Sequence, residues 1–232
     1  MEPVILHIET SSHACSVALS SGTQAVTSAL STEVNDHSAS LAPMIRQVLR
    51  DGHIQPSDLN AIAVSIGPGS YTGLRVGLST VKAMCYAIGC PLLAIDTLQS
   101  LAWTTRAGLA ARVDNIRVDN IYVSVLDARR QDAYMAVFDQ DGTRLEDSRF
   151  LSVTKDCLDS LLKPGREIVI CGEGTGKWLI FQGVAGIRIL NVDCHALNLI
   201  TSALDAYLRR EFADLASVVP NYLKPPNITI PI

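Results

Sequence analysis

The chain has 232 residues, 48% hydrophobic and 18% charged, a globular composition long enough to bury a core without disulfide or metal staples. Its net charge is −4 and no Lys/Arg run exceeds two residues, which argues against a chain that grips nucleic acid by itself. No window approaches the roughly 18 uncharged apolar residues of a membrane-spanning helix. The opening Met1-Glu2-Pro3 lacks the basic region and cleavage site of a signal peptide, so a cytoplasmic protein without a membrane partner is expected.

In chain order, residues 4–8, 15–19 and 24–30 read as three short strands joined by polar turns, a meander. Residues 36–51 switch to helical period, with Leu41, Met44, Ile45, Val48 and Leu49 on one face, a cap at Ser40, Pro43 in the first turn and Gly52 as the stop. Residues 61–66 form an apolar strand without alternation, as expected of a strand covered on both faces. Gly67-Pro68-Gly69-Ser70 is a turn, and Thr72 is expected to cap a second helix that Gly89 ends. That helix carries Leu74, Leu78, Val81, Cys85 and Ile88 as one stripe. Residues 91–95 are a further strand. Thr97 is expected to cap a third helix with Leu98, Leu101, Ala102 and Leu109 on one side.

The pattern then recurs. Residues 121–126, 133–138 and 149–153 read as strands, 155–162 as a short helix and 167–170 as a strand. A Gly-rich turn, a helix near 176–182, a strand at 187–190 and a helix over 195–212 follow, the last with Leu197, Ile200, Leu204 and Leu208 aligned. Two βββαβα runs suggest a duplicated unit: a first lobe over 1–100, a second over 101–212, and an extended Pro-rich tail over 213–232. The six cysteines, Cys15, Cys85, Cys90, Cys157, Cys171 and Cys194, include no C-x-x-C pair and read as free thiols in a reducing compartment.

The stretch Gly67-Pro68-Gly69-Ser70-Tyr71-Thr72-Gly73-Leu74-Arg75-Val76-Gly77-Leu78-Ser79-Thr80-Val81-Lys82 resembles the strand-to-helix junction of the TsaB (YeaZ, glycoprotease-like) family. Ile8-Glu9-Thr10-Ser11, Cys15-Ser16-Val17-Ala18-Leu19, His37-Ser38 with Leu41 and Pro43, Asp127-Ala128-Arg129-Arg130, Tyr134-Met135-Ala136 and Pro220-Asn221-Tyr222-Leu223 are similar to further family segments. Glu9 departs from the family's usual Asp. The resemblance implies an α/β, two-lobed actin/sugar-kinase-like (RNase H-like) fold, each lobe a mixed sheet with helices. It implies a non-catalytic scaffold subunit that activates a catalytic, TsaD-type threonylcarbamoyltransferase paralogue in modifying tRNA adenosine. A small TsaE-type P-loop ATPase would join them, tRNA would be met only indirectly, and the chain alone would form a homodimer.

Each candidate site has a plainer reading beside it. Neither glycine-rich turn satisfies G-x-x-x-x-G-K-[S/T]: Leu74 follows Gly73, and Gly172-Glu173-Gly174-Thr175-Gly176-Lys177 is too short and is followed by Trp178. No cofactor is therefore expected, with nucleotide confined to an interface of the complex. His7, His13, His37, His53 and His195 show no helical metal pairing. The family's catalytic paralogue carries two metal-binding histidines after the last strand of its first lobe, and the aligned positions here are Thr97 and Leu101. Ser38 or Ser70 with His37 or His13 lacks the G-x-S-x-G setting of a hydrolase. Glu9 and Asp127 are the one carboxylate pair a kinase of this superfold would use, and a regulatory homodimer is the other alternative. On the second helix, Gly73, Gly77, Thr80, Met84 and Ala87 make a second stripe offset by about 100°. Together with Leu41, Met44, Ile45 and Val48 it is the expected partner interface. The plainer reading is that the small residues let the helix lie close to its own sheet.

Overall fold

The computed structural model describes residues 2–31, 37–110 and 120–224. β1 (Val4–Glu9), β2 (Cys15–Ser21) and β3 (Gln24–Ser31) form the antiparallel meander, and β4 (Ala61–Gly67) and β5 (Leu92–Asp96) extend it in parallel. The order is β3-β2-β1-β4-β5. The second sheet contains β6 (Asn120–Asp127), β7 (Asp132–Phe138), β8 (Arg144–Ser152), β9 (Glu167–Glu173) and β10 (Ile187–Asn191), in the order β10-β9-β6-β7-β8. Read from the meander edge, both sheets run third, second, first, fourth and fifth strand of their unit. The duplication is therefore real in three dimensions, and the fold is the two-lobed α/β arrangement expected.

Helices α1 (His37–Asp51) and α2 (Tyr71–Ile88) cover one face of the first sheet. Leu6 and Ile8 of β1 meet them there, while Ile5 points to the opposite face, the period of two that a strand imposes. That opposite face is closed by α4 (Leu199–Leu208), whose Leu199 and Ala203 pack on Ile5, Ala61, Ala63, Leu93 and Ile95. Helix α3 (Thr97–Ala110) instead lays Leu98, Leu101 and Ala102 on Tyr122, Leu126 and Phe138 of the second sheet. The chain thus crosses between the lobes: α3 leaves the first sheet to cover the second, and α4 returns. The second sheet's other face is closed by Leu158, Leu161, Trp178 and Phe181.

Several expected elements differ. Helix α1 already begins at His37, so Ser40 does not cap it and Pro43 lies within it; residues 32–36, and with them its entry, lie outside the described residues. Ser70, not Thr72, caps α2, its hydroxyl accepting from the Gly73 N–H at 3.2 Å. Asp96 rather than Thr97 accepts at the start of α3, from the Gln99 N–H at 2.9 Å. Residues 155–161 form successive turns, and 175–181 a 3-10 helix. Strand β8 starts at Arg144, earlier than expected, and the charged residues of this edge strand hide its alternation in the sequence. The last helix is shorter than expected, and Ala196, Leu199, Ile200 and Ala203 face inward while Leu197 and Leu208 are exposed. Pro225, Pro226 and Pro231 lie outside the described residues.

Candidate functional site

A cleft of about 620 Å³ opens between the lobes where the first strand of each ends. On the first-lobe side the β1–β2 turn and the 67–70 turn meet. Ser70 N–H donates to the Ser11 carbonyl at 2.6 Å. Gly67 adopts φ +110°, and a Cβ there would press on the Asn221 carbonyl at 2.8 Å. Only glycine suits both demands.

Glu9 ends β1 and is buried. Its Oε1 accepts from the Ser11 N–H at 2.6 Å and the Ser65 hydroxyl at 2.6 Å. Burial pushes its carboxyl pKa up, and these hydrogen bonds oppose the rise. Glu173, at the end of β9, reaches across the lobes: Oε1 lies 2.9 Å from His13 Nδ1, and Oε2 accepts from the Cys194 N–H at 3.0 Å. Asp127, at the end of β6, accepts from Lys177 Nζ at 3.0 Å and from the Arg129 N–H. The two carboxylates a kinase reading would place across the cleft are therefore engaged within the chain.

The glycine-rich turns serve close packing. A Cβ at Gly172 would overlap the Val125 carbonyl, and one at Gly174 would press on Asp127 Cβ at 2.7 Å. Lys177 is spent on Asp127 and on the Asp132 carbonyl at 2.8 Å. Thr97 and Leu101 are buried, Leu101 within the second-lobe core.

The histidines are dispersed. His7 is buried with Nε2 at 2.8 Å from the Ser20 hydroxyl, His37 Nε2 lies 3.1 Å from the Ser12 carbonyl, and His195 Nδ1 accepts from the Leu197 N–H at 3.0 Å. His53 lies beyond the end of α1. Among the described residues no three His, Cys, Asp or Glu side chains converge as a metal site. Ser38, Ser70, His13 and His37 all line the cleft, but the recorded hydrogen bonds join neither serine to either histidine.

The residues expected at a partner interface divide. Leu41, Met44, Ile45 and Val48 are corrected to the interior: all four are buried in the first lobe's own core. Gly73 and Gly77 also face inward, where a Cβ would overlap the Thr10 carbonyl and the Thr10 hydroxyl respectively. The plainer reading of the small stripe holds for these two positions. Thr80 and Met84 are half-buried and Ala87 is exposed, so the outward part of the stripe begins one turn further along.

Sequence reasoning missed what the tail does. Asn221 N–H donates to the Ile66 carbonyl at 2.7 Å, and Tyr222 receives Arg75 Nε at 2.9 Å while its ring packs 4.8 Å from Tyr71. Leu223 and Lys224 then join the second lobe. The Pro220-Asn221-Tyr222-Leu223 segment was the available signal, but its contacts lie far away in sequence.

The family model described as TsaD, tRNA N6-adenosine threonylcarbamoyltransferase, matches residues 31–227. A Bacillus subtilis protein named tRNA threonylcarbamoyladenosine biosynthesis protein TsaB is 28% identical, over 95% of this chain and 93% of its own length. The Escherichia coli protein of the same name is 31% identical, over 59% of this chain and 55% of its own. The solved structure of YeaZ from Pseudomonas aeruginosa superposes with a TM-score of 0.77 at 25% identity, covering 95% of this chain and all of that one. The chain belongs to the tRNA N6-adenosine threonylcarbamoyltransferase family, and in that family it is similar over almost its full length to members named TsaB.

Proposed function

We propose that this family member acts in forming threonylcarbamoyladenosine in tRNA, as a scaffold subunit that docks and activates a catalytic paralogue. The observation that carries the reading is the outward face of α2 beside α1. Arg75, Ser79, Ala83, Tyr86 and Ala87 are exposed there, with Val76, Thr80 and Met84 half-buried among them, and Ala39, Ala42 and Pro43 are exposed on α1. Small residues on two neighbouring helices allow two helices of a partner to approach closely, and Tyr86, 85% exposed, is the kind of aromatic anchor that interfaces enrich. Two further points support a subunit without chemistry of its own. The strand-end carboxylates Glu9 and Asp127 are tied within the chain, and Thr97 and Leu101 stand where the paralogue's metal-binding histidines are expected.

The proposed partner set is a TsaD-type transferase, a TsaE-type ATPase and, for the chain alone, a second copy on the same face. The test is reconstitution with tRNA and threonylcarbamoyl adenylate labelled in its threonine, the nucleotide being the leaving group of the transfer. The chain alone incorporates no label, and label appears only when the catalytic paralogue and the ATPase are added. Incorporation by the isolated chain would overturn the reading. Ala83→Arg supplies the structural arm: an overpacked interface loses roughly 1–3 kcal/mol, or about 5- to 150-fold in affinity, while an exposed helical site leaves the melting temperature unchanged. Full affinity in that variant would move the interface elsewhere.

A further inference from the structure

At the far end of α2 the helix closes on a pair of thiols. Gly89 takes φ +73° and returns its N–H to the Cys85 carbonyl at 2.9 Å, which is the left-handed helix stop that glycine favours. That turn carries Cys90 back over the last helical turn. Cys90 Sγ comes to 3.9 Å from Cys85 Sγ, and Cys85 Sγ is 3.7 Å from the Pro91 carbonyl. Cys85 is buried and Cys90 half-buried, so a small solute reaches Cys90 first. We propose that Cys85 and Cys90 form a peroxide-reactive thiol pair that closes reversibly to a disulfide.

The gap to be closed is from 3.9 Å to the roughly 2.05 Å of a disulfide, a movement on the scale of side-chain rotation. The two thiols are also unequal. The hydrogen bond with Cys85 holds the Cys90 pKa below its usual value, whereas that contact and burial push Cys85 up. Cys90, the more accessible of the two, is the attacking thiol, reacting as its thiolate, and buried Cys85 is the resolving thiol. The Cys90 thiolate attacks one oxygen of hydrogen peroxide, breaking the O–O bond; the departing hydroxide takes a proton and leaves as water, and Cys90 becomes a sulfenic acid. Cys85 sulfur then attacks the sulfenic sulfur, and the hydroxyl leaves with the Cys85 proton as a second water. Both thiols are oxidised, the peroxide is reduced, and a dithiol reverses the change.

This inference is independent of the scaffold reading, because it needs no partner. Its test uses the full chain, exposed to hydrogen peroxide under native conditions, quenched with iodoacetamide and digested with trypsin. No Lys or Arg lies between Lys82 and Arg106, so both cysteines fall on one peptide. The expected result is that this peptide becomes two hydrogens lighter and resists alkylation. Two of the chain's six free thiols are lost, and dithiothreitol restores them. In Cys85→Ala the sulfenic acid on Cys90 has no resolving partner and is trapped by dimedone. If both thiols of the wild-type peptide remain alkylatable, or if Cys90 runs on to sulfinic acid with Cys85 untouched, the proposal is overturned. The wild-type mapping decides the matter whether or not the variant folds.

Discussion

Thr10 limits how closely α2 can lie against the first sheet. Its carbonyl fills the space where Gly73 would carry a Cβ, and its hydroxyl does the same at Gly77. Propensity and packing therefore make opposite predictions for Gly73→Ala. Alanine is the better helix former by roughly 1 kcal/mol, which alone would stabilise. The clash is with backbone, which cannot swing aside, and overpacking costs roughly 1–3 kcal/mol. We expect a lowered melting temperature, and a raised one would show that α2 shifts freely. The need for small residues was legible in the sequence. Which neighbour demanded them was not, since a turn contact from residue 10 to residue 73 leaves no periodic trace. His7 permits a second test. Burial lowers its pKa from 6.5 to about 3, so the folded state stays neutral where the unfolded chain takes up a proton. Stability is complete above pH 6.5 and falls as pH drops from there toward about 3. Between pH 6.5 and 5 this loss is about 2 kcal/mol, measurable by urea unfolding, and His7→Leu should flatten that slope. Glu9 acts with the opposite sign. Its folded pKa is raised above 4.5, so its contribution is present below pH 4.5 and is lost as pH rises through the folded value.

Helix ends and short helices depend on terms that a hydrophobic pattern does not contain. Ser70 and Thr72 are both good capping types, and only the backbone decides between them. Ser70 accepts from the Gly73 N–H, whereas Thr72 already lies inside α2 and is exposed. Ser70→Ala should cost roughly 0.5–2 kcal/mol and Thr72→Ala much less. Equal losses in thermal unfolding would contradict this assignment. The long stripes of α1, α2 and α3 were legible because several turns of consistent spacing leave one solution. Residues 155–162 were not. Leu158 and Leu161 are the buried pair, and a spacing of three fits an α-helix or a run of turns equally over so short a span. Here the turns prevail, with Cys157, Asp159 and Leu161 N–H groups each donating to the carbonyl three residues back. The interface residues on α1 show the converse limit. The period that identified Leu41, Met44, Ile45 and Val48 is the period of a core-facing stripe, and it could not also mark a free surface.

At the scale of the molecule the two lobes are coupled by segments that cross between them, and the tail completes the coupling. Ala213 bridges the edge strand β5 at Leu92. Asn221 hydrogen-bonds Ile66 at the end of β4, and Tyr222 packs on Tyr71 and accepts from Arg75 Nε at the start of α2. Beyond them Leu223 packs on the second-lobe core, and Lys224 sits 3.6 Å from Asp132 and 4.5 Å over the Phe150 ring. Residues 221–224 thus span the cleft, with two anchors on each side. The ion pair, half-buried and long at 3.6 Å, is worth little by itself, so the aromatic and apolar contacts carry the attachment. Removing them should release both lobes and not one. In the double variant Tyr222→Ala/Leu223→Ala, amide hydrogen exchange is expected to rise in the 67–73 turn of the first lobe and in the 127–132 hairpin of the second, since local opening reports the loss of packed contacts. The central strands β1 and β6, each hydrogen-bonded to a neighbouring strand on both sides, should keep their protection. If exchange rises only in the first lobe, the tail is an appendage of that lobe and the cleft is held without it, by α3, α4 and contacts such as His13–Glu173 and Asp96–Arg144. If β1 and β6 lose protection as well, the lobes unfold as one cooperative body for which the tail is a structural requirement.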